Sequence, residues 1–189
     1  MSKQMILGTV LGGIVLFVWG AIAWMFIPWP GQPLRAFKNE DAVTQAIVAN
    51  ATQSGNYLLP NADQKGLTAE QQQKAMEKMA RGPIVFAAVR LEPFNSMAKP
   101  LVSQFLTQLL VALLGTLLLL QTSGLSYKSR VIFLTVIGLI IFVGGHFDEA
   151  TWWSFSNAYM LMQFGAIVIG WFLASLIMAK VVRGKPAGA

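Results

Sequence analysis

Few residues in this chain have both the type and the spacing to do chemistry. His146, Asp148 and Glu149 form its clearest group of metal-capable side chains. His146 is the sole histidine and there is no cysteine. Thiolate zinc sites, iron–sulfur clusters and bis-histidine haem are therefore excluded within one chain. A metal at His146 would need three or four ligands, and so Glu92, Asp63 or another subunit. A helix end meeting water accounts for the same three residues without a metal. Gln104 and Gln108 stand one helical turn apart, with Thr107 beside them. Amides in hydrocarbon seek partners, so this face should look into a helix bundle; the alternative is a polar pathway, which no charged residue continues. Gly8 and Gly12 make a G-x-x-x-G pair, and Ala166 and Gly170 a small-x-x-x-small pair, both marks of close helix packing. The chain has no G-x-S-x-G elbow, P-loop, H-E-x-x-H motif or dinucleotide fingerprint. No catalytic residue, cofactor or metal site is assigned.

The elements that must position these residues are membrane spans. Of 189 residues, 55% are hydrophobic and 12% charged, against ~25% charged in an ordinary soluble domain. A spanning helix needs ~20 mainly apolar residues to cross ~30 Å of hydrocarbon. Residues 5–27, 101–120 and 158–179 satisfy this, and 131–147 is a shorter fourth candidate, the third in chain order, that ends at His146-Phe147-Asp148. Ala21-Ile22-Ala23 imitates a signal-cleavage site, but the apolar stretch exceeds a usual h-region, so the first span is read as an uncleaved anchor. The expected fold class is membrane all-α: a four-transmembrane-helix bundle with a small α/β extracytoplasmic cap over residues 28–100.

Within that cap, Asn39-Glu40-Asp41 reads as a helix cap with acidic first-turn residues, opening a helix over 40–51. Thr68 with Gln71 makes a capping box, and Gly82-Pro83 stops the helix it opens. Ile84–Leu91 is rich in strand-forming residues and pairs naturally with Tyr57-Leu58-Leu59. Two helices and two strands of this size make a thin core with no staples.

Orientation follows from Lys and Arg near the span ends. Lys3, Lys128, Arg130, Lys180, Arg183 and Lys185 gather on one side without any acidic residue, whereas the short segment 146–157 holds Asp148 and Glu149 and no basic residue. Both termini are thus expected in the cytoplasm. Trp24, Trp29, Trp152 and Trp153 fall at the opposite interface, where amphipathic rings belong. The net charge of +6 reads as a topology signal and an attraction to anionic lipid rather than as nucleic-acid binding.

The blocks Phe17-Val18-Trp19-Gly20-Ala21-Ile22 with Pro28-Trp29, Tyr57-Leu58-Leu59-Pro60, Gly82-Pro83-Ile84-Val85-Phe86-Ala87-Ala88-Val89, Gly145-His146-Phe147, Trp152-Trp153 and Gly170-Trp171-Phe172-Leu173-Ala174 cover most of the chain. Together they resemble a family of uncharacterised bacterial four-helix integral inner-membrane proteins. That resemblance implies a bacterial inner membrane and an intact first helix, and brings no established function. The functional expectation is a non-enzymatic membrane protein, a structural or accessory subunit of a larger assembly. Its partners would be the lipid bilayer and other membrane subunits or further copies of itself. The alternative is a channel or transporter for a neutral or lipidic solute, using the Gln104/Gln108 face. The topology is testable: reporter fusions at Gly124 and Ala189 should behave as cytoplasmic and one at Lys65 as periplasmic. A periplasmic reporter at Gly124 would mean that the spans are miscounted.

Overall fold

The computed structural model describes residues 2–62, 65–122 and 124–183. In chain order its elements are α1 (Lys3–Met25), α2 (Glu40–Asn50), β1 (Gly55–Leu59), α3 (Ala69–Arg81), β2 (Val85–Val89), α4 (Ala98–Leu120), α5 (Tyr127–Trp153), α6 (Asn157–Phe164), a π-helical turn (Gly165–Ile169) and α7 (Gly170–Val181). They form two compact units, one from Met1–Leu34 and Ser96–Ala189, the other from Arg35–Asn95.

In the first unit, α1, α4, α5 and the continuous rod Asn157–Val181 are long and apolar enough to cross a membrane. Serines start three of them. The hydroxyls of Ser2, Ser126 and Ser156 accept the backbone N–H of Met5, Ser129 and Tyr159 at 3.2–3.3 Å, satisfying donors that have no partner inside the helix. In α4, Pro100 lies inside the first turn, where a missing N–H costs nothing. Expecting that span to begin at 101, after the proline, set its start too late.

The larger departure is α5. Expected over 131–147, it runs to Trp153, and the turn to the next helix is only 154–156. The polar onset at His146 marks where the side chains change character; the backbone ladder continues beneath it. The Thr151 hydroxyl donates to the Phe147 carbonyl at 2.9 Å, and the helix ends at Ser154 in a left-handed cap with φ 58°. The first and last spans, expected over 5–27 and 158–179, are Lys3–Met25 and Asn157–Val181.

α1 packs between α4 and α7, α7 packs in turn on α5, and α4 meets α5 only sparingly. The core joins Leu16, Ala112, Leu119, Leu134, Trp171, Ala174, Met178 and Val182. Glycine makes these approaches possible. A Cβ placed on Gly8 would lie 2.5 Å from Val182 Cγ2 and 2.7 Å from Thr116 Oγ1; one on Gly12 would lie 2.6 Å from Met178 Sδ and 3.3 Å from Ala112 Cβ. The partners of the G-x-x-x-G face are thus α7 and α4 of the same chain. Gly115 and Gly138, on α4 and α5, both abut the Trp171 ring system. Outward, α1 shows Ile6, Val10, Ile14, Val18 and Ile22, each 38–49% exposed. Large apolar residues outside and small ones inside is the arrangement that a hydrocarbon solvent favours.

In the second unit, β1 and β2 pair antiparallel, with Gly55 opposite Val89, Tyr57 opposite Ala87 and Leu59 opposite Val85. Asn39 caps α2 through the Ala42 N–H at 2.9 Å. Thr68 and Gln71 form the reciprocal capping box of α3, and Gly82, at φ +68°, ends that helix in a conformation that favours glycine. Ala62 is the one buried residue among the described residues of this unit, so its core is thin.

Gly12→Ile and Gly138→Val should each lower the stability of the purified protein by about 1–3 kcal/mol, because the added carbons meet Met178 and Trp171. Gly145→Ala, where nothing lies within 4 Å, should not. Thermal unfolding in mild detergent measures all three. Equal melting temperatures for the three variants would show that these glycines do not set the helix separations.

Candidate functional site

The short connection between α4 and α5, with Gly124 at φ +65°, holds those helices together at one end. Further along, Trp171 stands between them, against Gly115 and Gly138. Beyond the indole, toward Met25 and Met97, α1, α4 and the last rod, with Ile141 of α5, border a cleft of about 580 Å³. Its walls are mainly apolar, from Phe17 and Trp24 of α1, Leu101 and Val111 of α4, Ile141 of α5, and Ile167 and Trp171 of the last rod. Three amides interrupt them, Gln104 and Gln108 from α4 and Gln163 from α6, and no lining residue is charged.

Gln104 is exposed and Gln108 half-buried. Expected to face into the bundle, they border the cleft. Ala166 also faces the cleft, whereas its expected packing companion Gly170 lies against Trp19, whose Cδ1 would be 2.9 Å from an added Cβ. Gln163, absent from the sequence-based candidates, is 92% buried: only 8% of its surface is exposed.

The π turn controls which of these side chains reach the cleft. Residues eight apart on an ideal α-helix are offset by about 80° around its axis. The wider turn at Gly165–Ile169 reduces that offset between Gln163 and Trp171, and both line the cleft. Two tryptophans of the first unit hold the turn. The Trp19 indole donates to the Gly165 carbonyl at 3.0 Å. The Trp29 ring lies where a side chain on Gly165 would go, while its indole N–H donates to the Ala23 carbonyl at 2.6 Å.

Behind Gln163 stands the histidine cluster, and the structure divides it. His146 Nδ1 lies 2.8 Å from Glu149 Oε2 and 3.3 Å from Gln163 Nε2. The carboxylate is the nearer and stronger partner for a ring N–H. The Gln163 amide carries two N–H groups, and the His146 contact engages at most one of them, so a second remains for another acceptor. Asp148, two residues from His146, is exposed and lies on a different face of α5. Glu92 belongs to the second unit, where the Ser54 hydroxyl donates to it and also accepts the Leu91 N–H at 2.8 Å. The Ser54 bond holds the Glu92 carboxyl below its ordinary pKa. Asp63 lies outside the described residues. Among the described residues no three metal-capable side chains come together.

The arrangement can therefore bind an uncharged, mostly apolar molecule and offer it amide hydrogen bonds. Comparison with protein families, with characterised proteins and with solved structures finds no match to the chain.

Trp19→Phe should cost roughly 0.6–2 kcal/mol, since it strips the Gly165 carbonyl of its indole donor within an apolar bundle. Hydrogen exchange should show faster exchange across 165–170 in this variant and none in Trp24→Phe. Equal protection in both would mean that the π turn stands without Trp19.

Proposed function

We propose that this chain is a non-enzymatic, four-span protein of a bacterial inner membrane that holds a neutral lipidic solute in the cleft as an accessory component of a membrane assembly. The cleft carries this reading. From Leu101 to Val111 it follows ten residues of α4, about 15 Å at ~1.5 Å per residue, which is half of a ~30 Å hydrocarbon layer. With both termini in the cytoplasm, the open half lies in the outer leaflet, and one lipid chain reaches its floor.

Conduction is the less favoured use of the Gln104/Gln108 face. In the other half of the bundle, Ala112, Thr116, Leu119, Leu134, Met178 and Val182 are all fully buried. Close packing of that kind leaves no route for a solute from the cleft to the opposite side. The cleft is a blind site, suited to retention and presentation.

Purification in mild detergent followed by native mass measurement should show one lipid retained per chain. Ala166→Phe, which fills the cleft from the last rod, should lose it while keeping the helical signal. A lipid-free wild type would overturn the proposal, as would solute flux through proteoliposomes that Gln104→Leu with Gln108→Leu abolishes.

A further inference from the structure

We propose that the guest of this cleft is a lipid-soluble quinone, an uncharged planar ring with carbonyl acceptors on opposite edges, held by Gln104, Gln108 and Gln163. The inference rests on the lipid-holding reading and adds the chemistry of the ligand.

Charge narrows the choice first. The cleft offers no cation for a phosphate and no carboxylate for an ammonium, and an unpaired charge taken into an apolar site is strongly disfavoured. Depth narrows it further. Gln104 and Gln108 lie six and ten residues into α4, about 9 and 15 Å along its axis. A phospholipid keeps its phosphate and esters at the membrane surface, so at that depth it presents only methylenes. Amides facing methylenes would be left without partners, which is costly in hydrocarbon. The guest must bring its hydrogen-bonding group below the surface.

A glutamine amide carries two N–H donors and one oxygen acceptor. Gln104 and Gln108 present theirs from one wall, and Gln163 faces the cleft from another with one amide N–H to spare beyond its contact with His146. A ring whose carbonyls point in opposite directions can accept from both walls at once. A simple long-chain alcohol or ester, with its polar atoms at one end, cannot. Aromatic residues also line the cleft: Trp24, Trp171 and Phe17, the last set edge-to-face with Phe105 at 5.3 Å. Such faces suit a planar π system. The volume, about 580 Å³, lies within the ~300–1,000 Å³ usual for small-molecule sites.

The test uses the full chain in phosphatidylcholine nanodiscs, titrated with a decyl-substituted benzoquinone. Quinones quench tryptophan emission on contact, and Trp24 and Trp171 line the cleft. Wild type should show saturable quenching, with much of the saturable part removed in Trp24→Phe. Gln104→Leu with Gln108→Leu should raise the half-saturating concentration at least tenfold. Ala166→Phe leaves all three amides in place but fills the cleft, and it should abolish saturation; it decides the matter if the double variant fails to fold. Quenching that never saturates, or that saturates at the same concentration in all variants, would overturn the quinone assignment. Native mass measurement separates the two proposals. A retained phosphatidylcholine without saturable quinone binding leaves the lipid-holding reading standing and removes this one, while neither ligand bound removes both.

Discussion

Trp171 is 3% exposed and stands between Gly115 and Gly138. Much of the first unit follows from that contact. Two helices joined by a short turn, each with a small residue facing the other, would ordinarily close along their length. An indole inserted from a third helix prevents this part-way along. On the turn side of the ring, Leu119, Leu134 and Met178 are fully buried. On the far side the helices are already held apart, and the ring itself becomes the floor of the cleft. Closure of one half and opening of the other therefore have a common cause. Neither glycine could carry a side chain without displacing the ring that separates the helices.

The rod that supplies Trp171 is tied at both ends by side chains that bond to its backbone. Near one end the Tyr127 hydroxyl donates to the Leu176 carbonyl at 3.0 Å, and Arg130 Nε donates to the Ala179 carbonyl at 3.1 Å. Near the other, Trp19 reaches the Gly165 carbonyl. In an apolar surrounding an irregular turn persists only where neighbouring groups satisfy the backbone it disturbs. Trp19 meets that requirement at the π turn. Of the tryptophans read as interfacial, Trp29 also packs against the π turn, and Trp19 and Trp171, outside that reading, brace the turn and separate two helices.

The four apolar helices, the two strands and the capping box of α3 were legible because each rests on local chemistry: run length, residue type and side chain-to-backbone bonds within a few residues. The end of α5 was misread for the opposite reason. His146, Asp148 and Glu149 carry information about surroundings, and polarity is a poor guide to where a backbone ladder stops. The cleft was half legible. Gln104 and Gln108 declare themselves by their spacing, and Gln163 could have joined them as a lone amide in an apolar run. Nothing in the sequence says that a π turn will rotate Gln163 toward them, or that Gly115 and Gly138, far apart in the chain, share one tryptophan. Such relations appear only once helices are placed beside one another.

An open cleft in a four-helix bundle has a different meaning in hydrocarbon than in water. In a soluble core, a void of this kind forfeits contacts and costs about 24 cal/mol per Å³, so packing tends to remove it. Beside lipid, the same space is filled by acyl chains at little cost, and openness alone says little about purpose. The amides are another matter. Glutamine side chains bordering a space that lipid tails would fill are a standing penalty unless something polar enters, Gln104 and Gln108 above all, since Gln163 already meets His146. Leucine at the same positions would make a better bundle for its own sake. On the proposed reading, the apolar walls determine the phase from which a guest comes, and Gln104, Gln108 and Gln163 determine which guest displaces a lipid chain.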